Sequence, residues 1–145
     1  MASSLILPDP ADPESAFFWE GTARGELRVQ VCRRCGRRRH PPRPMCPACR
    51  STERGFAVLS GRGRIWSFVV AHPPLLPAYA ELAPYNVITV ALEEDPALRM
   101  VSNLVPGPGG RPGDVDPAGI RIGEPVRVLF ERVEDVFLPR FVRAG

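Results

Sequence analysis

The chain has 145 residues, 44% hydrophobic and 24% charged, which is enough apolar material for one packed domain with a small appended module, so neither general disorder nor a large multidomain enzyme is expected. Its formal net charge is +3, all nineteen basic residues are Arg, and eighteen Pro with thirteen Gly favour short strands joined by turns over long helices. No apolar run approaches the roughly 20 residues that span a bilayer, and residues 1–16 lack the basic and apolar regions of a secretion signal, so a cytoplasmic protein without a membrane segment is expected.

Asp12-Pro13-Glu14 reads as a helix start, with Asp12 at the N-cap, Pro13 at the first helical position and Glu14 complementing the helix dipole. The predicted helix runs from Pro13 to Ala23 and ends near Gly21 or Gly25. Its consecutive aromatics Phe17, Phe18 and Trp19 cannot share one face, so the body of the protein and a partner surface compete for them. Leu27-Arg28-Val29-Gln30-Val31 alternates like a half-buried strand and leads into Cys32.

The cysteines follow as Cys32-x2-Cys35 and Cys46-x2-Cys49, ten residues apart, using every Cys of the chain. Each pair can turn two thiolates to one side of a tight knuckle, and two knuckles complete a tetrahedral four-sulfur site. Gly36 directly after the first knuckle suits a backbone of positive φ. Two disulfides would need an oxidising compartment, and iron accepts the same four sulfurs as zinc. With all four positions taken by protein, the metal is structural and closed to water or substrate. The same stretch is strongly basic: from Arg33 to Arg54 eight Arg meet one acid, Glu53, while the rest of the chain sets eleven Arg against fifteen acids.

Beyond the cysteines, Phe56 to Ser60 and Arg64 to Ala71 read as strands around a Gly61-Arg62-Gly63 turn, with Trp66 and Phe68 on one side. His72 to Pro84 holds four Pro among Leu75, Leu76, Tyr79 and Leu82, too apolar for a solvent loop and too Pro-rich for a regular helix, which fits a pocket cover or a partner contact. Asn86 to Glu93 and Leu98 to Val105 read as a strand pair joined around Glu94-Asp95-Pro96, with the acidic Glu93-Glu94-Asp95 a solvated turn at the hairpin tip. Pro106 to Gly119 reads as a mobile loop, and Val126 to Glu131 and Phe137 to Val142 as the last strands. Six short strands of this spacing suit a small barrel, an OB-type barrel being the most economical. The expected division is a helical segment over 1–26, a zinc ribbon over 27–55 and an OB-fold domain over 56–145.

With every Cys assigned to metal, His40 and His72 are the remaining conventional bases, and neither belongs to a triad, phosphate loop or hydrolase motif. An accessory or binding role gains weight. The Arg cluster with Trp66 and Phe68 would suit single-stranded nucleic acid, and equally the phosphates of a nucleotide-bearing cofactor or an acidic partner surface.

The ordered set Phe17-Phe18-Trp19-Glu20, Gly25-Glu26-Leu27, Cys32-x2-Cys35-Gly36, Pro41-Pro42-Arg43, Cys46-Pro47-x-Cys49, Gly61-Arg62-Gly63, Ser102-Asn103-Leu104-Val105 and Gly123-Glu124-Pro125-Val126 resembles the DUF35 family of acyl-CoA-associated proteins over residues 14–143. The resemblance implies a mainly β chain, with an N-terminal helix and a rubredoxin-like zinc ribbon followed by a small OB-fold β-barrel. It further implies a non-catalytic subunit partnering a thiolase-superfamily enzyme, including lipid-transfer-type aldolases acting on steroid side-chain CoA esters. On that reading Phe17, Phe18, Trp19, Leu75, Leu76 and Tyr79 contact the partner, and Arg37, Arg38, Arg39 and Arg43 meet the phosphates of a shared CoA thioester. One position departs from the pattern: where the family commonly has Gly after the second knuckle stands Arg50, for which a left-handed backbone costs roughly 1–2 kcal/mol.

Overall fold

The computed structural model describes residues 5–145. The chain runs α1 (Ala16–Ala23), β1 (Leu27–Cys32), β2 (Arg38–Arg39), β3 (Arg54–Leu59), β4 (Arg62–Ala71), α2 (Pro77–Ala80), β5 (Tyr85–Leu92), β6 (Arg99–Ser102), β7 (Pro125–Val133) and β8 (Val136–Arg143), with 3-10 turns at Pro112–Asp114 and Pro117–Gly119. It is mainly β, as predicted, and forms a three-stranded sheet of order β2-β1-β3 and a five-stranded sheet of order β6-β5-β4-β7-β8.

The larger sheet curls into a nearly closed OB-like barrel. Its neighbouring strands all pair antiparallel, and the ends meet through a parallel bridge between Leu104, just after β6, and Phe141 in β8. There Val105 N–H donates to Phe141 O at 2.9 Å and Phe141 N–H to Asn103 O at 3.0 Å. β5 shows why the strand forms: Asn86, Ile88, Val90 and Leu92 are buried in strict alternation. Ile88, Val90 and Leu92 meet Ile65, Met100, Val126 and Phe141 in a core that continues without a break into Leu27, Val29 and Leu59 of the smaller sheet and Phe18 of α1.

The structure corrects several sequence expectations. The helix begins at Ala16, because Asp12 heads a turn instead of capping the helix: its carbonyl accepts from Ser15 and Ala16 N–H and its carboxylate from Ser15 Oγ. The helix ends in a Schellman-type turn, Glu26 N–H to Gly21 O and Gly25 N–H to Thr22 O, with Gly25 at φ 75°. The strand expected in the barrel from Phe56 on pairs instead with β1 along its whole length, from Cys32↔Arg54 to Leu27↔Leu59, so the smaller sheet extends to Leu59. Arg62 and Gly63 belong to β4, not to a turn. α2 is one short helical turn in the Pro-rich loop, with Pro77 in its first turn.

The loop expected to be mobile is anchored. Val115 and Ile120 plug into the core, and Asn86 Nδ2 holds Pro112 O at 3.0 Å. A β-bulge between Ile65 and Ser67 separates the two aromatics expected on one side of β4. Phe68 lies opposite buried Ile88 and packs on the core, while Trp66 is about half exposed with the Arg99 guanidinium 3.7 Å from its ring centre. That removes the paired stacking platform a single-stranded nucleic acid would use. Among the described residues no helix is long and apolar enough to cross a membrane.

Candidate metal centre and the ribbon–barrel junction

The two knuckles have the same backbone construction. In the first, Cys32 N–H donates to Arg37 O and Gly36 N–H to Cys32 O; in the second, Cys46 N–H donates to Ser51 O and Arg50 N–H to Cys46 O, all at 2.9 Å. Gly36 and Arg50 hold the corresponding left-handed positions, at φ 77° and 64°. Arg50 therefore takes the strained conformation that its position implied, and the second knuckle closes as the first does.

Between the knuckles the sulfurs of Cys32 and Cys49 lie 3.5 Å apart, those of Cys35 and Cys46 3.6 Å, and all four within 4.8 Å of one another. A disulfide needs about 2.05 Å. Four sulfurs about 2.3 Å from one tetrahedral zinc would be about 3.8 Å apart, so the spacing fits a four-sulfur metal site. Backbone N–H groups hold the Cys32 thiol down to about 6, with Cys35 N–H the main contributor, and lower Cys46 through the N–H of Cys49. At Cys49 the Ser51 N–H also lowers the pKa, but burial and the three neighbouring sulfurs outweigh it and push the thiol up to about 11. Such a set ionises together only around a cation, which deprotonates coordinating thiols. Among the described residues this is the one group of three or more Cys, His, Asp or Glu placed to hold a metal ion.

Arg37, Arg38, Arg39 and Arg43 do come together. They line a cavity of about 210 Å³ at the junction of the ribbon with the β5–β6 turn, where Asp95 forms part of the wall. Glu93 and Glu94 are exposed, as expected of a solvated turn, and also tie that hairpin to the end of the ribbon sheet: Glu94 accepts from Ser60 N–H at 2.5 Å and Glu93 from Ser60 Oγ at 3.4 Å. His40 lies beside Phe18, ring centres 5.5 Å apart, and burial holds it down to about 4, a neutral imidazole. His72 is exposed in its loop.

The aromatic triplet divides. Phe18 is 6% exposed and belongs to the core, a correction to its expected place at a partner surface. Phe17 stacks on Phe56, and Trp19 sits edge-on to Phe18. Trp19 and Tyr79 line an apolar groove of about 550 Å³ that borders the Arg cavity through His40 and Pro41. Leu76 is 59% exposed and Leu75 half-buried.

Sequence reasoning missed a buried polar network behind this groove. Asn86, with no exposed surface, donates to Leu104 O at 2.9 Å and accepts from Leu104 N–H at 2.7 Å, holding the segment that closes the barrel. Asn103 donates to Asn86 O and accepts from Arg140. The available signal was an Asn at an inward position of an otherwise apolar alternation.

A closed four-sulfur ribbon packed on an OB-like barrel defines the class of protein, a two-part chain of metal ribbon and OB-like barrel. Two family models match in sequence order: the ChsH2 rubredoxin-like zinc ribbon domain over residues 19–53 and the ChsH2 C-terminal OB-fold domain over residues 57–131. The chain belongs to the DUF35 family, with the ribbon and OB-fold of its ChsH2 members. It is 35% identical to a DUF35 domain-containing scaffold protein of Methanothermobacter thermautotrophicus, over 77% of either chain. It is 36% identical to the 3-oxo-4,17-pregnadiene-20-carboxyl-CoA hydratase alpha subunit of Mycobacterium tuberculosis, over 88% of this chain and 40% of that protein. A probable enoyl-CoA hydratase alpha subunit of Thermomonospora curvata is 38% identical over 83% of this chain and 34% of its own. The chain thus matches well under half the length of these two hydratase subunits. Among solved structures, a chain of the Ltp2-ChsH2(DUF35) aldolase superposes with a TM-score of 0.79 at 34% identity, covering 95% of this chain and all of the other.

Proposed function

We propose that this chain is a non-catalytic subunit of an acyl-CoA-processing complex, binding a thiolase-superfamily enzyme that makes or breaks a carbon–carbon bond. The observation that carries this reading is the superposition over the whole length of a chain from the Ltp2-ChsH2(DUF35) aldolase. The hydratase alpha-subunit names of two relatives support a CoA-ester context and, for one of them, a steroid side chain. The chain's own chemistry agrees: its clustered thiols are engaged with one another, and the half-buried His40 imidazole is neutral and packed at a tilt against a core aromatic. The partner therefore supplies the reacting groups.

In this reading the metal is zinc, and it stabilises a ribbon too small to build a core of its own. Arg37, Arg38, Arg39 and Arg43 face the phosphates of the CoA thioester. Phe17, Trp19, Leu75, Leu76 and Tyr79 meet the partner, with the apolar groove between Trp19 and Tyr79 beside the thioester chain. The complex works in the cytoplasm.

The test is purification of a tagged chain from its host in moderate salt, with mass spectrometry of what stays bound. A stoichiometric thiolase-like protein is expected, and Leu76→Asp should reduce its recovery. Nucleic acid or ribosomal proteins in its place, released as salt rises, would overturn the reading. Colourless protein with one zinc per chain is expected, whereas four-sulfur ferric iron would be coloured.

A further inference from the structure

Arg39 is the anomaly among the junction arginines. Arg37 and Arg43 are exposed and Arg38 is half-buried, but Arg39 is only 6% exposed. Its Nη2 donates to Arg43 O at 3.1 Å, while Nε and Nη1 are buried without a partner. Gln30, across the β1–β2 pair, offers no relief, because its side chain is engaged by Arg43 N–H and Glu14. A buried guanidinium lacking a counter-charge is costly, and apolar side chains of similar volume are often at least as stable in its place.

The same side chain forms part of the wall of the 210 Å³ cavity, together with Arg37, Arg38, Arg43, His40 and Asp95. Asp95 makes no ion pair within 4 Å among the described residues, and its Oδ1 accepts from Ala97 N–H at 3.0 Å. His40 Nδ1 is likewise buried and unpartnered. Four arginines and one aspartate thus line one small cavity.

We infer that this cavity is an oxyanion receptor with Arg39 as its inner anchor. An entering oxyanion, reached by a small rotation of the Arg39 side chain, supplies the acceptors that the fold withholds from Nε and Nη1, and Arg37, Arg38 and Arg43 complete the positive rim. A phosphate group of a small molecule and a carboxylate inserted by a partner protein share this chemistry. The inference builds on the assignment of these arginines to an anion in the proposed function, but the anion need not belong to CoA.

The experiment follows thermal unfolding of the metal-loaded full chain at constant ionic strength while inorganic phosphate, and separately acetate, replaces chloride. Saturable stabilisation by phosphate is expected, with apparent affinity at least tenfold weaker in Arg39→Met, as for loss of hydrogen bonds to a charged group. Without the anion, Arg39→Met should be as stable as the parent and hold the same metal content. An equal response to acetate supports the receptor and assigns it to a carboxylate; a response to phosphate alone assigns it to a phosphoryl group. Should Arg39→Met fail to load metal, Arg39→Lys decides, because it keeps the charge but loses the planar fork and should weaken binding several-fold. No saturable response to either anion, or an unchanged response in the variant, overturns the inference. Neither result depends on whether a thiolase-like partner is recovered.

Discussion

The matched knuckles make the cost of one backbone conformation measurable. Arg50 sits at φ 64° where Gly36 sits at φ 77°, and the hydrogen bonds around them correspond one for one. A left-handed non-glycine residue costs about 1–2 kcal/mol, and glycine gives back about 0.4–1 kcal/mol through the entropy of the unfolded chain. Arg50→Gly should therefore stabilise the metal-loaded protein by about 0.5–1 kcal/mol, a rise in Tm of roughly 2–4 °C for a chain of this size. A Cβ built on Gly36 meets nothing within 4 Å, so Gly36→Ala isolates the same strain with opposite sign and should destabilise by a similar amount. Calorimetry at saturating zinc reads both, and because ribbon folding and metal binding are linked, competition with a chelator should show apparent zinc affinity shifting about threefold in the same directions. If Arg50→Gly lowers Tm at full metal content, the Arg50 side chain contributes more than its backbone costs, and the argument from matched knuckles fails.

Cys46→Ser removes a fully buried ligand; metal content should fall and amide exchange from Cys32 to Ser51 should accelerate while Ile88 and Val90 stay protected, and equal acceleration of both would show that the barrel depends on the metal as well. Asn86→Ala leaves the N–H and C=O of Leu104 and the C=O of Pro112 without their side-chain partner and should cost about 3 kcal/mol in urea unfolding. Phe141→Ala, beneath the barrel closure, should cost about 4 kcal/mol by the same measurement. His40 has a folded pKa held down to about 4 from an ordinary 6.5, so its contribution is complete above pH 6.5 and is lost as pH falls through that window towards 4. The loss is on the order of 3 kcal/mol, and His40→Asn should flatten that limb of the stability–pH curve; an NMR titration midpoint near 6.5 would contradict the burial of the ring.

Much of the architecture was legible because it is written in short-range spacing. The C-x2-C pairs place two thiolates within reach of one ion whatever surrounds them, and the alternation from Asn86 to Leu92 assigns one face of β5 to the interior. Helix capping was less legible: Asp12, Pro13 and Glu14 have the right residue types, yet Asp12 bonds Ser15 and forms a turn of its own, so the helix starts three residues late. The bulge at Trp66 defeated a side-by-side reading of Trp66 and Phe68, because one extra residue reverses the facing of everything beyond it.

By itself the sequence determined the metal ligands, the existence of most strands, the basic character of the ribbon and the resemblance that named the family. Only the tertiary structure decided that β3 joins β1, that Phe18 turns inward, that four arginines line one junction cavity with Asp95, and that Arg39 alone among them is buried, with Nε and Nη1 unpartnered. The reason is physical: knuckles and strand alternation depend on neighbours a few residues apart, whereas strand partnership, barrel closure and the burial of a guanidinium depend on which distant segments exclude water together.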